Sequence, residues 1–448
     1  MNKLVPAALI LATATSFALG SDWAQWRGPG GTGYVAEANP PIEWSESKNI
    51  RWKTTIPGKG YSSPVIWGEH IYLMTAVEAP DPQAQPADEA AEQEGQDQGR
   101  GGRGGRGRGP AAPTSKFKFM VLAINRADGG TAWTTTVREE VPHEGAHPTA
   151  TFASPSAVTD GKRIFANFGS RGLYCLDMRG NIAWETDLGD MQTRNSFGEG
   201  ASPALHGETL VVPWDHEGGS FVAALNAATG SEKWRVSRDE PTTWATPVVA
   251  EVNGRTQVIL PGTNHCVSYD LETGEEVWRS RGLTANVIPT PIVAHGMVYL
   301  ISGFRGSALL AVDLARATGD ITETDAIVWT HDRATPYVPS PMLAGRNLYF
   351  LGSNNGILSC FDAKTGEAHY AGQRLEGVQN VYSSIVGAGN YLYVCGREGE
   401  VAVIANSPEF RQVATNTLGE GINASPAIVG DEIYLRGDVH LYCIGTPR

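Results

Sequence analysis

Hydrophobic positions fall in short β-branched and aromatic runs, separated by Gly/Asp and Asn/Gly turns, a pattern that predicts strands and very little helix. The runs group into one repeating unit. It opens with Ser-Pro and a β-branched run, turns at Gly/Asp into an aromatic-rich strand, and closes with Asp/Asn-x-x-(Thr)-Gly-x-x-x-Trp. The openings are Ser63-Pro64, Ser154-Pro155, Ser202-Pro203, Thr246-Pro247, Thr290-Pro291, Ser340-Pro341, Ser383-Ser384 and Ser425-Pro426. Apart from the first interval they recur about every 42 to 50 residues, the period of a four-stranded propeller blade. Eight openings predict an all-β, eight-bladed β-propeller.

The closing turns carry Trp133, Trp184, Trp234, Trp278 and Tyr370, with Trp329 arriving late after an insertion around Gly319-Asp320. Each turn Gly supplies the positive φ of a tight hairpin, and each aromatic is expected to pack between neighbouring blades as core. The eighth unit lacks its Trp strand, but Asn49-Ile50-Arg51-Trp52 near the N-terminus matches Ala326-Ile327-Val328-Trp329. This predicts that residues 49–52 complete the last blade and close the ring, which removes exposed sheet edges. Two residues before each turn Asp/Asn stands Ala123, Cys175, Ala224, Ser268, Ala311, Cys360 or Cys443, so a small side chain is required there and these three cysteines are packing residues.

Composition changes the picture at the ends and in one loop. Lys3, the apolar stretch Leu4 to Leu19 and Ala18-Leu19-Gly20 have the layout of a secretory leader over 1–20, too short and broken for a membrane span. The expected product is a soluble periplasmic or secreted monomer. It comprises an N-terminal extension (21–48) and the propeller (49–448), with an inserted disordered surface loop (79–115) that ends in a Gly-Arg tract. A net charge of −13 argues against nucleic acid as a partner. Five scattered cysteines with no C-x-x-C form neither a disulfide framework nor a zinc knuckle.

Candidate chemistry is sparse. His143-Glu144-Gly145-Ala146-His147 matches H-E-x-x-H, but zinc proteases need both histidines on one helical face, and Pro142, Gly145 and Pro148 break any helix. A structural loop that satisfies its own hydrogen bonds is the reading, with a loop that hydrogen-bonds a ligand or holds an adventitious metal as the alternative. Connections entering the innermost strands lie around the channel mouth. The candidate funnel is therefore Tyr61, His143, Glu144, His147, Arg194, Asn195, Glu199, Trp244, Asn286, Tyr337, Asn380 and Asn423, a set suited to a polar, sugar-like or peptide ligand. Asp215-His216-Glu217 reads either as an acid/base or metal cluster or as a solvated turn before Gly218-Gly219. Nucleophile elbow, P-loop, EF-hand and dinucleotide signatures are absent from the sequence.

The repeat resembles the PQQ-type propeller repeat, most visibly in Asp270-Leu-Glu-Thr273-Gly274-Glu-Glu-Val-Trp278 and Asp362-Ala-Lys-Thr365-Gly366-Glu. The whole chain is similar to the BamB-like propellers of planctomycete-type bacteria. The likeness lies in Trp23-Ala-Gln-Trp26-Arg27-Gly28-Pro29, Asn49-Ile-Arg-Trp52-Lys53, Phe168-Gly-Ser-Arg171-Gly172-Leu-Tyr174 and Gly303-Phe-Arg305-Gly306. Two functions are implied by that resemblance. Quinoprotein dehydrogenases of this fold hold PQQ and Ca²⁺ over the channel, usually beneath a disulfide between adjacent cysteines, with a carboxylate as base. This sequence has no adjacent Cys pair and no C-x-x-C-H, and blade seven lacks both Pro and Trp. BamB-type propellers are protein-binding scaffolds of the cell envelope, tethered by a lipid-bearing Cys that is missing here. The expectation is a non-catalytic scaffold binding a protein or small polar ligand, without a cofactor; a PQQ/Ca-dependent dehydrogenase is the alternative.

Overall fold

The computed structural model describes residues 22–79 and 109–446; the expected leader over 1–20 and residues 80–108 of the expected insertion lie outside the described residues. Eight antiparallel sheets stand around a central channel, and the first strands of successive blades touch along it. Blade 1 runs outward as Val65–Trp67, His70–Glu78, Phe117–Asn125 and Thr131–Glu140, and blades 2 to 7 repeat that order. Blade 8 takes Ala427–Val429, Glu432–Arg436 and His440–Ile444 from the C-terminal end and Ile50–Thr55 from the N-terminal end. The predicted closure is therefore present, with Trp52 opposite Cys443.

One piece of hardware recurs at the blade interfaces. The small residue of the third strand is the cross-strand partner of the docking aromatic: Ala123 faces Trp133, Cys175 faces Trp184, Ala224 faces Trp234 and Cys360 faces Tyr370. The ladder slips beside each of these aromatics, a β-bulge that re-aims the ring toward the next blade. There it lies beneath the next turn glycine. A Cβ on Gly230 would stand 2.7 Å from the Trp184 ring, and Gly230 has φ 73°. The indole N–H completes the joint, Trp184 donating to Ala227 O at 3.1 Å and Trp329 to Ala363 O at 3.0 Å. The cysteines are fully buried, and burial pushes the Cys175 and Cys360 thiols up to about 12, consistent with inert packing.

A second device encircles the channel. The backbone N–H of one residue per blade donates to the hydroxyl of its counterpart in the next, in the order Ser63, Ser156, Ser202, Thr246, Thr290, Ser340, Ser384, Ser425 and back to Ser63. All eight residues are buried and the distances span 2.8 to 3.2 Å. This ring fixes the register of the repeat. In blade 2 the equivalent residue is Ser156, not Ser154, and in blade 7 it is Ser384, so Pro is not what defines an opening.

Three interfaces depart from the rule. Tyr370 of blade 6 meets no turn glycine; its ring packs edge-on against Phe410 at 5.6 Å and its hydroxyl has no partner among the described residues. The insertion in blade 5 places Gly319–Asp320 parallel to the outer strand Glu276–Ser280 of blade 4, and Trp278, fully buried, donates instead to Gln257 of its own blade at 3.2 Å. In blade 7, Ala414 stands opposite Val403 where an aromatic would dock. Trp44 fills that place from the N-terminal segment. Its ring lies 6.1 Å from Tyr393 at 35°, matching Trp133 on Tyr72 (6.1 Å, 36°) and Trp329 on Tyr299 (6.1 Å, 40°).

Candidate functional site at the channel mouth

The channel has a floor. From Trp23, which bridges to Ile66 of blade 1, the N-terminal segment passes beneath the ring, where Ala24 O accepts from Thr159 of blade 2. It then reaches blades 6 and 7, where Thr32 O accepts from Leu343 and Tyr34–Val35 adds a parallel strand inside Val386–Ala388. Arg27 is buried at the centre of this crossing and donates to Pro341 O at 2.6 Å and Ile385 O at 3.1 Å. Burial lowers the Arg27 pKa to about 9, so the guanidinium stays charged at neutral pH, tied to carbonyls of two blades. Gly28 and Gly33 leave no room for a Cβ beside Trp23 and Arg27. The Trp-Ala-Gln-Trp-Arg-Gly-Pro string thereby has its structural reason.

At the opposite end the channel opens into a cavity of about 440 Å³. Its wall has a rule that the hydroxyl ring reveals: the residue two before each ring hydroxyl lines it. Those eight are Tyr61, Ser154, Gly200, Trp244, Ile288, Val338, Tyr382 and Asn423. His147, Phe197, Glu199, Phe304 and Tyr337 add a second tier. Trp244 of blade 4 therefore faces, across the mouth, the Tyr382-Asn423-Tyr61 wall of blades 7, 8 and 1.

Of the residues expected in the funnel, Tyr61, His147, Glu199, Trp244, Tyr337 and Asn423 line this cavity. Asn286 lies behind the wall. It is buried, its Nδ2 donates to Tyr337 Oη at 3.4 Å, and its Oδ1 has no partner. His143 and Glu144 are turned into neighbouring loops, His143 Nε2 lying 2.7 Å from Met191 O and Glu144 accepting from Thr193 N and Oγ1 at 3.0 and 2.8 Å. His147 Nδ1 meets Thr149 Oγ1 at 2.8 Å, and burial with Arg397 nearby lowers its pKa. The H-E-x-x-H string is thus a loop whose three side chains part company. Arg194 and Asn195 occupy a short 3₁₀ turn, and the Asn380 carbonyl accepts from Arg397 N at 2.8 Å; none of these three lines the cavity.

Residues that the connections alone did not indicate come from the loops between second and third strands. Phe304 stacks on Tyr337 at 4.7 Å, and the Arg397 guanidinium lies 4.5 Å over the Tyr382 ring while donating from Nε to Asn423 at 2.8 Å. Gly303-Phe-Arg305-Gly306 carried a signal for the first; Tyr382 was masked by the misplaced opening of blade 7. Asp215 and His216 are buried, whereas Glu217 is exposed at the start of the Gly218-Gly219 turn. Asp215 pairs with Arg238 at 2.8 Å and accepts from Thr243 at 2.8 Å, while Glu217 accepts from Thr242.

The carboxylates around the mouth are committed to donors. Glu199 takes Arg171 Nη1 at 2.7 Å and Ser170 Oγ and N at 2.6 and 2.7 Å, an approach that only Gly169, at φ 60°, permits. Among the described residues no group of three or more His, Cys, Asp or Glu could hold a metal ion. With Glu199 spent on Arg171 and Glu144 on Thr193, the residues present do not fit the calcium of a quinoprotein site. Among the described residues no helix is long and apolar enough to cross a membrane.

Fold and site together define an eight-bladed propeller of PQQ-like repeats with a floored channel and one lined mouth. The family described as outer membrane protein assembly factor BamB matches residues 118–368 and 218–445, and the chain belongs to it. BamB of Moranella endobia (strain PCIT) is 24% identical over 305 residues, 62% of this chain and 69% of that protein. Among solved structures, BamB from Moraxella catarrhalis covers 72% of this chain and 88% of its own at TM-score 0.52 and 17% identity. Quinohemoprotein alcohol dehydrogenase from Comamonas testosteroni covers 96% and 82% at TM-score 0.63 and 10% identity. Both structural likenesses bear on fold.

Proposed function

We propose that this protein is an exported, non-catalytic binding scaffold of the cell envelope that holds a protein or small polar ligand at the channel mouth. One observation carries the reading. The eight wall positions two before the ring hydroxyls converge on one floored cavity and include Trp244, Tyr61 and Tyr382, aromatic surface that the blade interfaces do not use. Aromatic walls with a few fixed polar groups suit recognition. Carboxylates already satisfied by Arg171 and Thr193 are poor general bases, which favours binding over turnover. The name of the relatives, an outer membrane assembly factor, supports an envelope setting, as does the leader pattern of residues 1–20.

The test is site-specific photo-crosslinking in envelope extracts, with a benzophenone side chain at Tyr382 or Asn423 and, as control, at the exposed outer-strand residue Val328. Crosslinks to a discrete envelope component from the mouth and not from Val328 are expected. Equal labelling from both places, or none from the mouth, would remove the mouth as the working face.

A further inference from the structure

We infer that the mouth takes an acidic saccharide, a sugar ring bearing a carboxylate or sulfate, seated between Trp244 and the Tyr382-Asn423-Tyr61 wall; this rests on the mouth being the binding face. Three independent features meet there. The first is shape: a floored cavity of about 440 Å³ with an indole on one side and two phenols opposite, aromatic surface suited to the C–H face of a pyranose.

The second is charge. Arg194, Arg305 and Arg397 stand around the mouth with no ion pair among the described residues, although the protein carries a net charge of −13. Arg397 is the best placed, held flat over Tyr382 and by Asn423 at its Nε, so that neither Nη is used in any hydrogen bond among the described residues. The nearby carboxylate is Asp438, which accepts from Asn423 Nδ2 at 3.2 Å; Arg436, buried on the same wall beside Ser62 and Met74, is a second cation against it. A planar guanidinium with free N–H groups matches a carboxylate or sulfate in a bidentate fork. Among the described residues the one carboxylate lining the cavity, Glu199, is neutralised by Arg171.

The third is hydrogen bonding. Tyr337 lines the cavity and accepts from buried Asn286 Nδ2 at 3.4 Å, while its own O–H meets no acceptor among the described residues and can donate into the mouth. Sugar hydroxyls and carboxylates supply acceptors for it; an apolar peptide side chain does not.

Calorimetric titration of the protein with digalacturonate, a sulfated galactose disaccharide, neutral lactose and a planar aromatic tricarboxylate tests this. At least one acidic disaccharide is expected to bind tenfold or more tighter than lactose. Arg397→Gln should remove that preference, bringing the acidic disaccharides to within about twofold of lactose on the same variant, and Trp244→Ala should weaken every saccharide. Equal affinity for acidic and neutral sugars, or binding of the aromatic tricarboxylate alone, would overturn the inference. So would no saccharide binding while Tyr382 still crosslinks to an envelope protein, an outcome that leaves the scaffold reading standing. Absence of both overturns both.

Discussion

The interface between blades 2 and 3 and that between blades 7 and 8 solve one packing problem with different parts of the chain. In the first, Trp184 sits on Phe165 at 5.9 Å, lies under Gly230 and donates to Ala227, all within the repeat. In the second, the repeat has lost its aromatic, and Trp44 is brought in from outside it. Its backbone N–H donates to Asn416 Oδ1 at 2.7 Å, and Asn416 Nδ2 donates to Ile42 O at 3.0 Å. The shape of the hole is kept while its filler changes origin. The seam of the ring is therefore stitched by segments distant in sequence, Trp44 and Trp52 from one end against blades 7 and 8 from the other.

That comparison predicts equal weight for unequal sequence signals. Trp184→Ala removes a partly buried ring and should cost roughly 3 kcal/mol in urea unfolding, the low end of the range for aromatic deletion. Trp44→Ala should cost a similar amount, about 3 kcal/mol or more. A loss under about 1 kcal/mol at Trp44 would mean that the segment only lies on the ring.

A smaller effect belongs to the hydroxyl circle. Ser202→Ala deletes the acceptor of Ser156 N–H and leaves that buried donor unpaired, at about 1–3 kcal/mol. Because every blade contributes one such bond, Ser425→Ala at the seam should match Ser202→Ala. A much larger loss at 425 would mark the seam as the weak joint.

The smallest effect is one of pH. In the turn of blade 6, burial raises the Asp362 pKa, but Arg346 and the N–H groups of Thr365 and Lys364 outweigh it and hold the carboxyl at about 2. A carboxyl depressed on folding stabilises above its unfolded pKa, near 4, and loses that contribution as pH falls through its folded value. Acid unfolding should thus steepen between about pH 4 and pH 2, and Asp362→Asn should flatten that stretch. An unchanged acid limb would remove the turn from the ledger of pH-sensitive contacts.

Blade count, the closing strand and the slot opposite each aromatic were legible because they depend on neighbours within one repeat. Trp44 was not, since its partner Tyr393 is some 350 positions away and nothing local marks it. The opening of blade 2 was misplaced at Ser154 because Pro155 imitates the pattern, whereas the true register is set by a hydroxyl that accepts from another blade. Once that register is known, the eight wall positions can be read directly from the sequence. Glu199 and Asp215 could not be assigned in advance, because their roles depend on Arg171 and Arg238, which reach them from other strands and loops.

The most direct test of the division between load and recognition is to measure thermal unfolding and envelope-component capture on one variant, Tyr61→Ala with Tyr382→Ala. Neither phenol is part of a blade joint, so Tm should stay within about 2 °C of the parent. Capture should nonetheless be lost. Full capture with both phenols gone, or a collapse in Tm, would contradict the assignment of the mouth as the binding face.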